Sequence, residues 1–304
     1  MKIQDLYEGQ SLKDKVSYQT MSELSDILRN NCKDVFKNFY SRGNVEKFRH
    51  ATGKPFDSIY TVVSNKENRK PTDTPVYFHN IMDTELEDKF GVRFRSNSMF
   101  SFYMSYNRSY YTLFPYDGYK MISSGSVYDM FILVQDTFHD NIKVNSLIKS
   151  FIENFTNLPE EDKSKIKYIP NNLFSLLGEE SWMKEDDFPN VDTFMTEFKY
   201  SVMRMLGSDV EITASKDDYA KLLQNVVTIV NQSLSRSAHS YNEVDTPKDI
   251  NSESTRDYEV MIHSEKFVIV DTESILQYLI DMGHDYSEND VIKMLYEKDL
   301  TAFE

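Results

Sequence analysis

Apolar residues of this chain fall into two kinds of pattern, helical spacing and short β-branched or aromatic runs, and the two are segregated along the sequence. Met21, Leu24, Ile27, Leu28, Val35, Phe36 and Phe39 recur every three or four residues and predict one amphipathic helix, with Ser22 or Thr20 as its cap. Residues 58–63 read as a strand, and the polar stretch 65–74, rich in Lys and Arg, as the loop after it. Pro75 opens a second helix with Phe78, Ile81, Met82, Leu86 and Phe90 on one face, and Gly91 stops it. A β-rich patch follows at 98–104, 110–114 and 119–122, punctuated by Pro115 and Gly118.

From Val127 to Ala238 the pattern is helical. Stripes run through Met130, Phe131, Val134 and Phe138; through Leu147, Ile148, Phe151, Ile152 and Phe155, ended by Leu158-Pro159; through Phe194, Phe198, Val202, Met205 and Leu206; and through Tyr219, Leu222, Val226, Val230 and Leu234. Aromatic and Met stripes at this spacing read as core. Residues 239–256 are polar and aperiodic and read as a loop. Two β-branched runs, 257–262 and 266–270, are separated by His263-Ser264-Glu265, a break of hairpin length. Ile275, Leu276, Leu279 and Ile280, then Val291, Ile292, Leu295 and Tyr296, predict two short closing helices.

The chain therefore reads as α+β, with a small mixed β core drawn from residues 45–125 and 255–272 and helices around it. Its expected divisions are an N-terminal helical segment (1–44), the first part of the core (45–125), a helical insert (126–238), the polar loop (239–256), and the hairpin with the closing helices (257–304).

Composition removes several classes of function. Only 9 glycines in 304 residues leave few positive-φ turns, against an all-β sandwich and against a glycine-rich phosphate cradle; no GxGxxG, Walker loop, HExxH or GxSxG occurs. A single Cys32 excludes an internal disulfide, and the six histidines show no metal-ligand spacing. No run of about eighteen apolar residues is present to span a bilayer, and Met1-Lys2-Ile3-Gln4-Asp5 lacks a signal-peptide core, so a soluble intracellular protein is expected. A net charge of −15 repels phosphate backbone and disfavours nucleic acid as a partner.

The candidate chemistry sits at 257–262, Asp-Tyr-Glu-Val-Met-Ile. Alternation along a strand predicts Asp257 and Glu259 on one face two residues apart, where mutual repulsion is expected to raise one of the two pKa values. A solvated strand entrance is the plain alternative.

An acid-x-Glu pair opening an apolar strand resembles the last catalytic strand of ADP-ribosyltransferases of the Arg-Ser-Glu class. Phe48-Arg49-His50 stands where that family carries its nucleotide-gripping arginine, and Phe94-Arg95-Ser96-Asn97-Ser98 resembles its serine strand. The stretch 69–74, with His79, Arg95-Ser96 and Phe114-Pro115, looks like a branch carried by tailed bacteriophages. His50, Asn97 and Asp257 depart from the family pattern, and the helical insert has no counterpart in minimal members.

The resemblance implies NAD as substrate, a host protein as acceptor, and the infected cell's cytoplasm as the place of action. It implies that Arg49 forks onto the NAD pyrophosphate, with Ser96 also on the nucleotide; Arg42 is the local rival to Arg49. Glu259 then stabilises the ribose cation, Ser98 holds Glu259, and Asp257 orients or deprotonates the acceptor. Tyr103, Tyr106, Tyr110 or Tyr111 would stack on nicotinamide. The competing readings are an acidic phage protein that blocks a host factor without catalysis, on a decayed transferase scaffold, and NAD hydrolysis with no macromolecular acceptor.

Overall fold

The computed structural model of the protein describes residues 15–40, 48–50, 57–70, 74–102, 111–127, 132–133, 136, 141–170, 173, 190–207, 209–244 and 259–304; of residues 38–40, 48–50, 102 and 259 it describes the backbone alone. The chain is α+β and divides into two compact units. One comprises residues 1–67, 97–125 and 242–304, and the other 68–96 and 126–241. The expected boundaries placed residues 68–96 with the β core; they belong instead to the helical unit.

The first unit holds all the described strands: β1 (Phe48–His50), β2 (Tyr60–Ser64), β3 (Met99–Phe102), β4 (Tyr111–Pro115), β5 (Lys120–Ser123), β6 (Asn242–Glu243), β7 (Glu259–His263) and β8 (Lys266–Val270). They pair in the order β2-β8-β4-β1-β3-β7-β5-β6, and every described pairing is antiparallel, so the expected mixed sheet is corrected to an antiparallel one. The order is two four-stranded halves, and at the seam between them, β1 against β3, the one register pair among the described residues is Arg49 opposite Phe102.

The expected hairpin of residues 257–270 does not exist. β7 pairs with β3 and β5, β8 pairs with β2 and β4, and the chain crosses from one half of the sheet to the other through Ser264-Glu265. A two-residue hairpin turn needs positive φ at its centre. Neither Ser264 nor Glu265 adopts it, for Asn68 and Lys298 are the non-glycine residues that do among those described. The crossing is fixed instead by one local and two long-range partners: the Ser264 hydroxyl donates to the carbonyl of Lys266, two residues on (2.9 Å), or of distant Tyr116 (3.3 Å), and Asn65 N–H donates to the carbonyl of Glu265.

Four described α-helices belong to this unit: α1 (Tyr18–Asn31), α2 (Lys33–Tyr40), α7 (Thr272–Asp281) and α8 (Glu288–Glu297). The single helix expected over residues 21–39 is broken at Cys32 because the turn at Asp117-Gly118 captures the break. Asp117 N–H donates to Asn31 O (2.6 Å), the Asp117 carboxylate accepts from Asp34 N–H (2.8 Å), and Gly118 N–H donates to the Asp34 carboxylate (2.9 Å). Ser17, one turn before Thr20 and Ser22, is the cap of α1. Met21, Leu24, Leu28, Val35 and Phe36 join Leu113, Phe114, Val268, Val270, Ile275, Leu279, Val291 and Leu295 in one apolar core, where Phe36 stacks between Phe114 and Tyr296.

The second unit is helical: α3 (Val76–Phe90), α4 (Ile142–Phe155), α5 (Val191–Leu206) and α6 (Lys216–His239), with a short 3-10 helix at Lys163–Tyr168. Gly91 ends α3 with φ of 70°, the left-handed cap that only glycine adopts without strain. Phe151, Phe194, Phe198 and Tyr219 bring α4, α5 and α6 together as an aromatic core, with rings 5.1–5.8 Å apart. At the end of α6, which the polar loop was expected to begin, the Lys89 ammonium donates to the carbonyls of His239 (2.9 Å) and Tyr241 (2.5 Å). Among the described residues no helix is long and apolar enough to cross a membrane.

Candidate functional site

The seam of the sheet sets the geometry of the site. Phe102, the last residue of β3, is directly opposite Arg49 on β1 and directly opposite Glu259 on β7. Arg49 and Glu259 therefore stand in one row with a single strand between them, about 10 Å apart at two strand spacings. The row continues through Thr112, which pairs with Arg49 and with Val270, to Tyr60. In sequence, residues 41–47 lead into β1 from this end, β3 leads out into 103–110, and 245–258 lead into β7. Asp257 and Tyr103, with Tyr106, Tyr110 and Arg42, lie outside the described residues; Tyr111 is buried in β4 and belongs to the core.

Ser98 is not brought to Glu259. In the β3–β7 register, Phe102 faces Glu259 and Met99 faces Ile262, so Ser98, one residue before β3, is four residues back along the strand, about 13 Å away. Its buried hydroxyl has no hydrogen-bond partner among the described residues. Of the three positions singled out by the family resemblance, Arg49 and Glu259 share one row, and Ser98 stands at the other end of its strand.

Ser96 lies in the second unit, in a buried network that sequence reasoning saw only in part. The Asp83 carboxylate of α3, fully buried, accepts from Arg95 N–H (2.8 Å), Ser96 N–H (3.2 Å) and the Ser96 hydroxyl (2.5 Å), and pairs with Arg93 Nε (3.3 Å). His79, one helical turn before Asp83, places Nε2 3.1 Å from Ser96 Oγ. Because the Ser96 proton goes to Asp83, the Nε2–H of a neutral imidazole donates to Ser96, and Nδ1 is left without a partner. Burial, then the nearby Arg95, Arg69 and Arg93 guanidinium groups, push the His79 pKa down to about 3. With its hydroxyl bonded to both neighbours and 6% of its surface exposed, Ser96 ties residues 93–96 to α3 within the second unit and is not presented to a ligand. An acid four residues after a histidine on an apolar helix face was the signal for Asp83.

A second polar group was not legible in sequence because three separate elements supply it. Thr112 on β4, Thr272 at the start of α7 and Glu288 at the start of α8 converge. The two hydroxyls are 2.7 Å apart, and Glu288 Oε1 accepts from Thr272 at 2.5 Å and from Thr112 at 3.3 Å. This group touches the row of Arg49 and Glu259 at Thr112.

Among the described residues no cluster of His, Cys, Asp or Glu is arranged to hold a metal ion. No family model matches the chain, and no curated protein or solved structure is similar to it.

Proposed function

We propose that the protein transfers ADP-ribose from NAD to a protein acceptor of a bacterial host, as a bacteriophage-type ADP-ribosyltransferase acting in the infected cell. The observation that carries this reading is the row Arg49–Phe102–Glu259: residues 210 positions apart in sequence, each matched to a family motif, are brought to one level on strands that flank the same neighbour. The family's chemistry requires those two positions together.

In this reading Arg49 forks onto the pyrophosphate of NAD. As the bond from ribose C1′ to the nicotinamide nitrogen breaks, its electron pair leaves with nicotinamide, and the Glu259 carboxylate stabilises the positive charge left on the ribose. The acceptor's nucleophile then bonds to C1′ and passes its proton to Asp257. Tyr103, which directly follows Phe102 in sequence, is the stacking candidate nearest the row. Ser98 takes no part in holding Glu259, and Ser96 serves the fold of the second unit.

One observation favours the second reading, an acidic protein that binds and blocks a host factor on a decayed transferase scaffold: the serine position is displaced from the row. Incubation of the protein with labelled NAD and bacterial lysate separates the two. Transfer predicts label fixed to a protein band together with released nicotinamide. A blocking protein leaves NAD intact and co-purifies with its target.

A further inference from the structure

We propose that strand β2 is an interaction surface that pairs edge to edge with β2 of a second copy of this chain, joining two sheets into one. β2 stands at one end of the strand order, with β8 on its inner side. The main-chain bonds just beyond its ends fix which way its residues point: Asp271 N–H donates to the Ile59 carbonyl and Asn65 N–H to the Glu265 carbonyl, both at 2.9 Å. In an antiparallel pair, bonded and non-bonded positions alternate, so Ile59, Thr61, Val63 and Asn65 turn their main-chain groups onto β8, and Tyr60, Val62 and Ser64 turn theirs outward. Of the outward groups, the Tyr60 carbonyl accepts from the Ser58 hydroxyl at 2.7 Å. The amides of all three residues, with the carbonyls of Val62 and Ser64, have no partner among the described residues.

An open edge of this kind is ordinarily blunted by a charge, a proline, a bulge or extreme shortness. The opposite edge, β6, is two residues long and carries Glu243. β2 has none of these devices: Tyr-Thr-Val-Val-Ser holds no charge and no proline, its five register pairs with β8 run without a bulge, and its central residues are β-branched. Val62, at its centre, is exposed over 39% of its surface. With no charged side chain on β2 for a foreign peptide to recognise, the edge offers main-chain pairing and one apolar side chain, and a second β2 matches both. When the two strands run antiparallel about Val62, Tyr60 of each copy falls opposite Ser64 of the other, and Val62 opposite Val62. Each outward amide then meets an outward carbonyl, and the exposed valines pack side by side. A strand of this length covers far less than the roughly 1,200 Å² at which stable interfaces begin, so the association is weak, with a dissociation constant on the order of tens of micromolar. The pairing is independent of the transferase reading.

Sedimentation equilibrium of the full chain from about 5 to about 500 µM tests the pairing. Wild type should pass from monomer to dimer across that range, and added salt should strengthen the dimer, because each copy carries a net charge of −15. Val62→Lys and Val62→Glu should each be folded by circular dichroism and monomeric throughout, since like charges then stand directly opposite, and an equimolar mixture of the two should associate again. Amide hydrogen exchange reads the strand contact itself: Thr61 and Val63 should be protected at every concentration, and Tyr60, Val62 and Ser64 only where the dimer forms. A wild type that stays monomeric overturns the proposal. So does a dimer that survives Val62→Lys, a mixture of the two variants that stays monomeric, or exchange at Tyr60, Val62 and Ser64 that ignores concentration. If wild type is monomeric and the amide NMR signals of those three residues shift when a lysine-flanked Tyr-Thr-Val-Val-Ser peptide is added, the edge serves a peptide and the second-copy pairing is wrong.

Discussion

Arg49 and Glu259 each stand directly opposite Phe102, on the two strands that flank β3. The pair Arg49–Phe102 also joins the two halves of the sheet at their seam. Positions at such a seam are held by non-local pairing alone, so their juxtaposition is a product of the whole topology and not of any local segment.

Arg49 is assigned to grip NAD before and during the reaction. Arg49→Ala should therefore raise the KM for NAD and slow turnover together, and Arg49→Lys should rescue poorly because a point charge does not reproduce the bidentate fork. Isothermal calorimetry with NAD measures the binding half directly. Equal affinity in wild type and Arg49→Ala removes Arg49 from the site.

Stability below neutral pH should depend on His79. Its folded pKa, about 3, lies below the ordinary 6.5, so between those values the unfolded chain binds a proton that the native protein does not, and stability falls as pH drops through that window. From pH 7 to pH 5 the loss is about 2 kcal/mol, at about 1.4 kcal/mol per unit below 6.5. His79→Gln, which keeps a donor for Ser96, should flatten this part of the profile while carboxylate titration is unaltered. Urea unfolding of both proteins at the two pH values checks it; parallel profiles would show that His79 titrates normally.

Asp83 is the fully buried acceptor of three hydrogen bonds and an ion pair that join α3 to residues 93–96. Asp83→Asn removes the negative charge and turns an amide toward backbone donors, so a loss of about 3 kcal/mol is expected, in the range for breaking a buried charged network. The urea midpoint reports it. A change below about 0.5 kcal/mol, the size typical of a surface site, contradicts the network's structural role.

Cys32 is buried where α1 gives way to α2, with Sγ 3.9 Å from the Phe114 carbonyl, and burial together with the Asp117 charge pushes its thiol pKa up. The native protein should resist thiol reagents at pH 8 and react stoichiometrically once unfolded in urea. Labelling followed by mass measurement decides it, and rapid native labelling contradicts the packing of this junction.

Much of the fold was legible wherever a local signal decided the local structure. Pro75 and Gly91 bracket α3 as their backbone preferences require, and the apolar stripes around Phe151, Phe198 and Val226 mark α4, α5 and α6. Where tertiary partners overrode local pattern, sequence reasoning went astray. Asp117 breaks the first helix at Cys32 from 85 positions away, and β7 and β8 take four different partners instead of each other. The site divides in the same way. Arg49 and Glu259, singled out by motif, share a row, while Ser98 belongs to a motif whose register the sequence does not encode. Glu288 gave no signal, because nothing near it in sequence announces Thr112.

The most direct test of the central claim is nicotinamide release from NAD by wild type and Glu259→Gln, both shown to be folded by circular dichroism and supplied with bacterial lysate as acceptor. Loss of one preorganised charge-stabilising group predicts a turnover lower by about two to three orders of magnitude in the variant, with NAD affinity little changed. Equal release by the two proteins, or no release by wild type, contradicts the assignment of Arg49 and Glu259 to a transferase site.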